Sequence, residues 1–181
     1  MPHSSGMTIK DSLKWGHEQL LLSSSSARLD AELLLAHALG QPVTFLLAHD
    51  EHSIGWWALW RYRRMIAKRK EGMPVAYLVG HKEFYFLDFE VNRHVLVPRP
   101  DTERLVEAAI ERLCELQNPI LLDVGTGSGC IAISALKNIP ELTAIATDIS
   151  RDALCAARRN ARRHGVADRI EFIHSDLLER V

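Results

Sequence analysis

Leu121-Leu122-Asp123-Val124-Gly125-Thr126-Gly127-Ser128-Gly129-Cys130-Ile131 reads as a buried strand, a glycine loop and the first turn of a helix. In an open α/β sheet such a junction is where a nucleotide-like ligand sits. The glycine spacing narrows the ligand. A dinucleotide fingerprint needs G-x-G-x-x-G, whose third glycine permits tight helix–strand packing, and that position is held by Cys130. For a glycine loop taken alone, an ordinary strand-to-helix turn is the plain alternative.

The spacing present is D-x-G-x-G-x-G, from Asp123 through Gly125 and Gly127 to Gly129, and it resembles the cofactor loop of class I S-adenosylmethionine methyltransferases. Such a ligand has no pyrophosphate to cradle. Glycines then serve close backbone approach and positive φ, and an acidic group near the loop meets the cationic methionine end. Thr143-Ala144-Ile145-Ala146-Thr147-Asp148 reads as a second buried strand ending in a carboxylate. It lies about 20 residues past the loop, where an acid accepts from both ribose hydroxyls. The competing reading makes Asp148 the cap of a helix starting near Ser150. A third strand, Ile170-Glu171-Phe172-Ile173-His174, runs into Ser175-Asp176-Leu177. In methyltransferases of this kind the acid there contacts the adenine amino group, which makes Asp176 the candidate, although Ser-Asp is also a common turn and cap pair.

The 181 residues suffice for a real core and one or two domains. A net charge of −1 gives no global pull toward nucleic acid or an anionic membrane, and the composition agrees with a cytoplasmic globular protein. Cys114, Cys130 and Cys155 form no C-x-x-C pair, so a disulfide framework or zinc knuckle is not expected. Among nine histidines only His49 and His52 are close, and His49-Asp50-Glu51-His52 lacks the H-E-x-x-H zinc spacing, so no metal is expected. No apolar stretch reaches the roughly 20 residues of a membrane span, and no signal-peptide core is present. Met1-Pro2-His3-Ser4-Ser5-Gly6 is set apart as a tail, with Met7 an alternative start.

Residues 7–75 are helical in texture. Thr8-Ile9-Lys10-Asp11 is a capping-box-like start, with Leu13, Gly16 and Leu20 on one face. Ser26 is expected to cap the next helix, with Leu29, Leu33 and Ala36 spaced for burial before Gly40 stops it. A short helix follows Pro42 from about Thr44. Ser53 is expected to open a longer one through Lys70, with Trp56, Trp57 and Trp60 mostly in the core. Its Arg61, Arg63, Arg64, Lys68, Arg69 and Lys70 read either as a solvated face favoured near a helix C-terminus or as a docking patch for an acidic or RNA-associated partner.

Glu83-Phe84-Tyr85-Phe86-Leu87-Asp88-Phe89-Glu90-Val91 reads as two short strands around a turn, a hairpin linker whose aromatic residues form a packing surface. In Val95-Leu96-Val97-Pro98-Arg99-Pro100-Asp101-Thr102-Glu103 two prolines stiffen the chain and Arg99 projects. Asp101 or Thr102 then caps a helix with Leu105, Ala109 and Leu113 on one face. Together with Pro74-Val75-Ala76-Tyr77-Leu78-Val79-Gly80 and the glycine loop, these stretches resemble the HemK/PrmC family, the methyltransferases of peptide chain release factors. The resemblance runs from about Met7, and P-R-P-D-T-E is its most specific part. Relatives that methylate a ribosomal protein glutamine continue differently after the P-R pair.

That resemblance implies an α/β architecture. A small helical bundle (7–75, release-factor-binding) precedes a β-hairpin linker (76–100) and part of a Rossmann-like S-adenosylmethionine methyltransferase sheet (101–181). It implies methyl transfer from S-adenosylmethionine to the side-chain amide of the glutamine in the Gly-Gly-Gln motif of a release factor. No sequence-specific nucleic acid and no membrane partner are implied. Carried over by residue, Gly125, Thr126, Gly127, Ser128 and Gly129 match the cofactor loop, Asp148 the ribose acid, and Ser175-Asp176-Leu177 the adenine-side turn. The family's Asn-Pro-Pro-Tyr loop, which localises the amide lone pair, does not occur, so no catalytic residue is named. With a family strand order of 3-2-1-4-5-7-6, the first sheet strand is expected at an edge of this piece, which alone is expected to bind the cofactor weakly and transfer no methyl group. A nicotinamide dehydrogenase, a nucleic-acid amino-group methyltransferase, a ribosomal-protein glutamine methyltransferase and a noncatalytic release-factor-binding fragment are the alternatives.

Overall fold

The computed structural model describes residues 6–180; of the amino-terminal tail, residues 1–5 lie outside the described residues, as does Val181. The chain divides into two compact units, one up to Val79 and one from Gly80 onward. No helix among the described residues is long and apolar enough to cross a membrane.

The first unit is five helices: α1 (Ile9–Leu20), α2 (Ala27–Leu39), α3 (Val43–Ala48), α4 (Trp56–Lys70) and α5 (Val75–Val79). The first four N–H groups of a helix have no partner within it, and all four of α1 are satisfied. Ile9 and Lys10 donate to the carbonyls of His52 and Asp50 (3.0 and 2.9 Å), and Asp11 and Ser12 to the Thr8 hydroxyl and carbonyl. Thr8 therefore caps as its sequence predicts. The same crossing explains why α4 begins at Trp56 and not at Ser53: Ser53 bridges Thr8, and the Ile54 N–H donates to the Met7 carbonyl (3.0 Å).

Ser26 precedes α2 as expected but makes no cap hydrogen bond. Its hydroxyl is captured by the buried Asp30 carboxylate (2.9 Å), which also accepts from Ser24 (2.7 Å) and from Arg69 of α4 (2.7 Å). Burial alone would raise the Asp30 pKa, but the hydrogen bonds from Ser24, Arg69 and Ser26 and the charge of Arg69 outweigh it and hold the carboxyl below its usual range. This anchor fixes the phase of α2. Ala27, Ala31, Leu34, Leu35 and Ala38 turn inward with Asp30, while Leu29 and Leu33, expected inside, are exposed. Its leucines and alanines are spread around most of the helix, so spacing alone cannot choose the buried face.

The core of this unit centres on the fully buried Tyr62, whose phenol donates to the Ser12 carbonyl (3.3 Å) and whose ring meets Trp15 edge-on at 6.0 Å. With Tyr62, Met65 and Ile66 setting the inward stripe of α4, the three tryptophans fall on its other side. Trp56, Trp57 and Trp60 are 66, 58 and 45% exposed, which overturns their expected place in the core.

The second unit opens with a hairpin, β1 (His81–Phe84) and β2 (Leu87–Glu90). Pairing of Phe84 with Leu87 leaves Tyr85 and Phe86 as a two-residue loop with φ of +48° and +60°. Both central residues of such a loop need positive φ, and with side chains present each costs about 1–2 kcal/mol. The Tyr85 N–H is held by the Glu103 carboxylate at 3.0 Å. Phe84 and Phe89 are buried, whereas Phe86 is 93% exposed at the tip and takes no part in the packing expected of it. A 3-10 turn (Pro100–Thr102) leads into α6 (Glu103–Leu113). Thr102 precedes α6 without a side-chain cap bond, and Val106 is the buried residue, with Leu105 turned outward.

Then come β3 (Ile120–Val124), α7 (Cys130–Asn138), β4 (Thr143–Asp148), α8 (Arg151–Arg163) and β5 (Ile170–His174), a parallel sheet of order β3-β4-β5. This is the expected 3-2-1 order, with β3 outermost. Alanines 153, 156, 157 and 161 of α8 are all buried, and their small size lets neighbouring backbone come close.

Two outcomes follow for the helical unit. A Cβ on Gly16 would overlap the Tyr62 hydroxyl, so Gly16→Ala is expected to cost about 1–3 kcal/mol in urea unfolding followed by circular dichroism. Because the folded pKa of Asp30 is depressed, its contribution is present above the usual carboxylate pKa of about 4 and is lost as pH falls through the folded value. Melts from neutral to strongly acidic pH are expected to fall less steeply for Asp30→Asn than for the wild type.

Candidate cofactor site

Gly125, Gly127 and Gly129 take φ of +74°, +56° and +81°, so the loop after β3 alternates through conformations that L side chains avoid. Their surroundings differ. A Cβ built on Gly125 meets nothing within 4 Å, and one on Gly127 meets only the Gly125 carbonyl at 4.0 Å. On Gly129 it would press against Ile133 Cδ1 at 2.8 Å and Ala157 Cβ at 3.2 Å. The first two glycines leave open surface, while the third seats α7 against α8.

The loop is tied to the end of β4. The N–H groups of Gly125 and Thr126 both donate to the Thr147 carbonyl at 2.9 Å, and the Gly127 N–H donates to Asp148 Oδ2, also at 2.9 Å. The other oxygen, Oδ1, accepts from the Ser150 N–H at 2.8 Å. Asp148 is therefore not the cap of α8; Ser150 is, its hydroxyl accepting from the Ala153 N–H at 3.1 Å. Each Asp148 oxygen is left with spare acceptor capacity, and the side chain is half-buried at the carboxyl end of the parallel strands. The turn after β5 joins the same point: the Ser175 N–H donates to the Asp148 carbonyl (3.2 Å) and the Thr147 hydroxyl to the Leu177 carbonyl (3.3 Å). Asp176 and Leu177 are exposed there, Leu177 with φ of +49°.

Thr126 and Ser128 are buried. The Thr126 hydroxyl donates to Asp123 Oδ2 at 2.7 Å. Burial pushes the Asp123 carboxyl upward, partly offset by the bonds from Thr126 and the Ala132 backbone, with the neighbouring charge of Asp148 raising it further. Burial also pushes the Cys130 thiol up to about 11, so this cysteine is a packed residue and not a nucleophile.

Two residues of this assembly were not legible as such. Thr147 is fully buried and receives both loop N–H groups, yet in sequence it is one more β-branched strand residue. Asn160, also fully buried, accepts from the Glu90 N–H (2.8 Å) and donates to the carbonyls of Glu90 (3.0 Å) and Ser128 (2.9 Å). It locks the hairpin to the glycine loop, helped by Arg159 on the Glu90 carboxylate and Arg163 on Asp88. A single amide on the alanine face of an arginine-rich helix is the signal that marks it.

Residues 11–80 match the model of the PrmC N-terminal domain, and residues 103–181 that of the methyltransferase small domain. The chain belongs to the HemK/PrmC family. It is 44% identical over 156 residues to the release factor glutamine methyltransferase of Chlorobaculum tepidum, covering 83% of this chain and 53% of that one. With the release factor glutamine methyltransferase of Rhodopirellula baltica it is 42% identical over 166 residues, covering 86% and 54%. The chain thus spans about half the length of these curated relatives. Its methyltransferase small domain match begins at Glu103, the residue whose carboxylate holds the hairpin tip, so the Pro98-to-Glu103 stretch joins the two features structurally.

The unequal glycines give a direct check. Gly129→Ala is expected to cost about 2–3 kcal/mol, from strained φ and overpacking together, and Gly125→Ala about 1–2 kcal/mol, from φ alone, in matched thermal and urea unfolding.

Proposed function

We propose that the loop of Gly125 and Gly127, with Asp148 and the Asp176-Leu177 turn, binds S-adenosylmethionine. We propose further that the protein acts in methylation of the glutamine side-chain amide in the Gly-Gly-Gln motif of a peptide chain release factor, in the cytoplasm. The observation that carries this is Asp148. Its two oxygens are each oriented by one backbone N–H, one from the glycine loop and one from the start of α8, and each retains a lone pair for a ribose hydroxyl. Open surface at Gly125 and Gly127 fits a ligand lying directly on backbone.

The cofactor supplies an electrophilic methyl on a sulfonium. The chain's own residues bind and orient. Asp148 accepts from the ribose, Asp176 from the adenine amino group, and Leu177 covers the base. Gly125, Thr126, Gly127, Ser128 and Gly129 shape the cradle, with Thr126 and Ser128 acting from within. The half-buried Asp148 carboxylate gives the mouth of the cradle a negative potential that complements a cationic ligand. An amide nitrogen is a poor nucleophile, and its activation needs acceptors aimed at its hydrogens. No Asn-Pro-Pro-Tyr occurs in these residues, so no catalytic residue is assigned. In this reading residues 7–75 bind the release factor, 76–100 form the hairpin linker, and 101–181 hold the cofactor.

Calorimetric titration is expected to detect S-adenosylmethionine and S-adenosylhomocysteine but not NAD, with Asp148→Asn weakening both at least about tenfold, the loss of a charge-assisted acceptor. Equal binding of NAD would overturn the cofactor assignment. These 181 residues mixed with release factor and cofactor are expected to yield no methylated peptide by mass spectrometry.

A further inference from the structure

The basic run of α4 divides by what its members touch. Arg69 is spent on the buried Asp30, and Lys70 reaches Gln19. Arg61, Arg64 and Lys68 recur at spacings of three and four, which places them on one stripe of the helix. Among the described residues no carboxylate pairs with any of the three. Favourable placement at a helix C-terminus accounts for Lys68, Arg69 and Lys70 in the last turn. It does not account for Arg61 and Arg64, which lie in mid-helix, where like charges one turn apart repel.

These cations rim an open cleft of about 280 Å³ whose lining includes Trp60, Met65 and Leu78. The rim is positive, and the wall combines these apolar side chains with His37 and Tyr77. Trp56, Trp57 and Trp60 extend the same exposed surface, a concentration of aromatic area typical of protein–protein anchor points. One face of each is already engaged. Trp56 and Trp57 stack on each other at 4.1 Å, and the Arg64 guanidinium covers Trp60 at 4.7 Å. A single-stranded nucleic acid needs free aromatic faces for its bases, and these contacts remove half of them. Carboxylates on the rim with one apolar side chain in the cleft satisfy what the surface presents.

We infer that this cleft of α4 docks an acidic protein segment carrying an aliphatic or aromatic anchor. Resting on the function proposed above, that segment belongs to the release factor. Arg61, Arg64 and Lys68 meet its carboxylates, and Met65 and Leu78 receive the anchor. The contact is on a different unit from the glycine loop, and it sets substrate affinity.

The test uses the full chain and a fluorescein-labelled synthetic peptide with glutamates at positions one, four and eight and a leucine at position five. A lysine-for-glutamate version and a single-stranded RNA oligomer serve as competitors. Fluorescence anisotropy is expected to show binding of the glutamate peptide alone, weakening with salt. Arg64→Glu combined with Lys68→Glu, both at exposed positions, is expected to lose at least about tenfold in affinity for the peptide and for release factor, with a cooperative melt retained and unchanged S-adenosylmethionine affinity. Wild-type affinity of the double variant for release factor, or displacement of the peptide by RNA but not by unlabelled glutamate peptide, overturns the inference. If release factor does not bind the wild-type chain at all, the functional reading fails, and the peptide arm still decides the cleft.

Discussion

The second unit depends on one short piece of backbone, Thr147-Asp148. Its two carbonyls and two polar side chains make five of the bonds that hold the glycine loop and the turn after β5 in place. A loop of three left-handed glycines has more conformational freedom than any other sequence of its length, and left to itself it would sample many shapes. Three N–H bonds to two adjacent residues remove that freedom. The same bonds place the Asp148 carboxylate beside open loop surface, so the element that rigidifies the cradle also supplies its charge.

The first unit answers a different physical problem. It is small, helical and rich in leucine, and hydrophobic burial alone does not specify which face of such helices turns inward. The specification comes from polar atoms: the Asp30 carboxylate held by Ser24, Ser26 and Arg69, and the Tyr62 phenol held by the Ser12 carbonyl. Gly16 completes it by leaving room for the Tyr62 ring. Rotating α2 to bury Leu29 and Leu33 would expose Ala31 and strip Asp30 of its partners.

Much of this was readable in advance because it was local. Thr8, Gly40, the three parallel strands and the alternating glycines each declare themselves through backbone chemistry within a few residues. Asp148 was placed at a strand end by spacing, and setting aside its reading as the helix cap needed the hydroxyl of Ser150 to be located. What escaped was set by distant partners. The phase of α2 is decided by Arg69, some forty positions away in sequence. The outward tryptophans follow from Tyr62 claiming the inner face, and Asn160 acquires its importance only when Glu90 and Ser128 come together.

The hairpin carries a lesson about boundaries. The methyltransferase family match starts at residue 103, but the compact body starts at residue 80, because β2 is fastened to α8 through Asn160, Arg159 and Arg163. The portion matched by the methyltransferase family and the portion packed as one compact body are not the same stretch of chain. A graft of the matched portion alone would carry a helix whose buried amide has lost its match. The twenty-odd residues between the two boundaries, which read as a hairpin linker, are packed into the second unit.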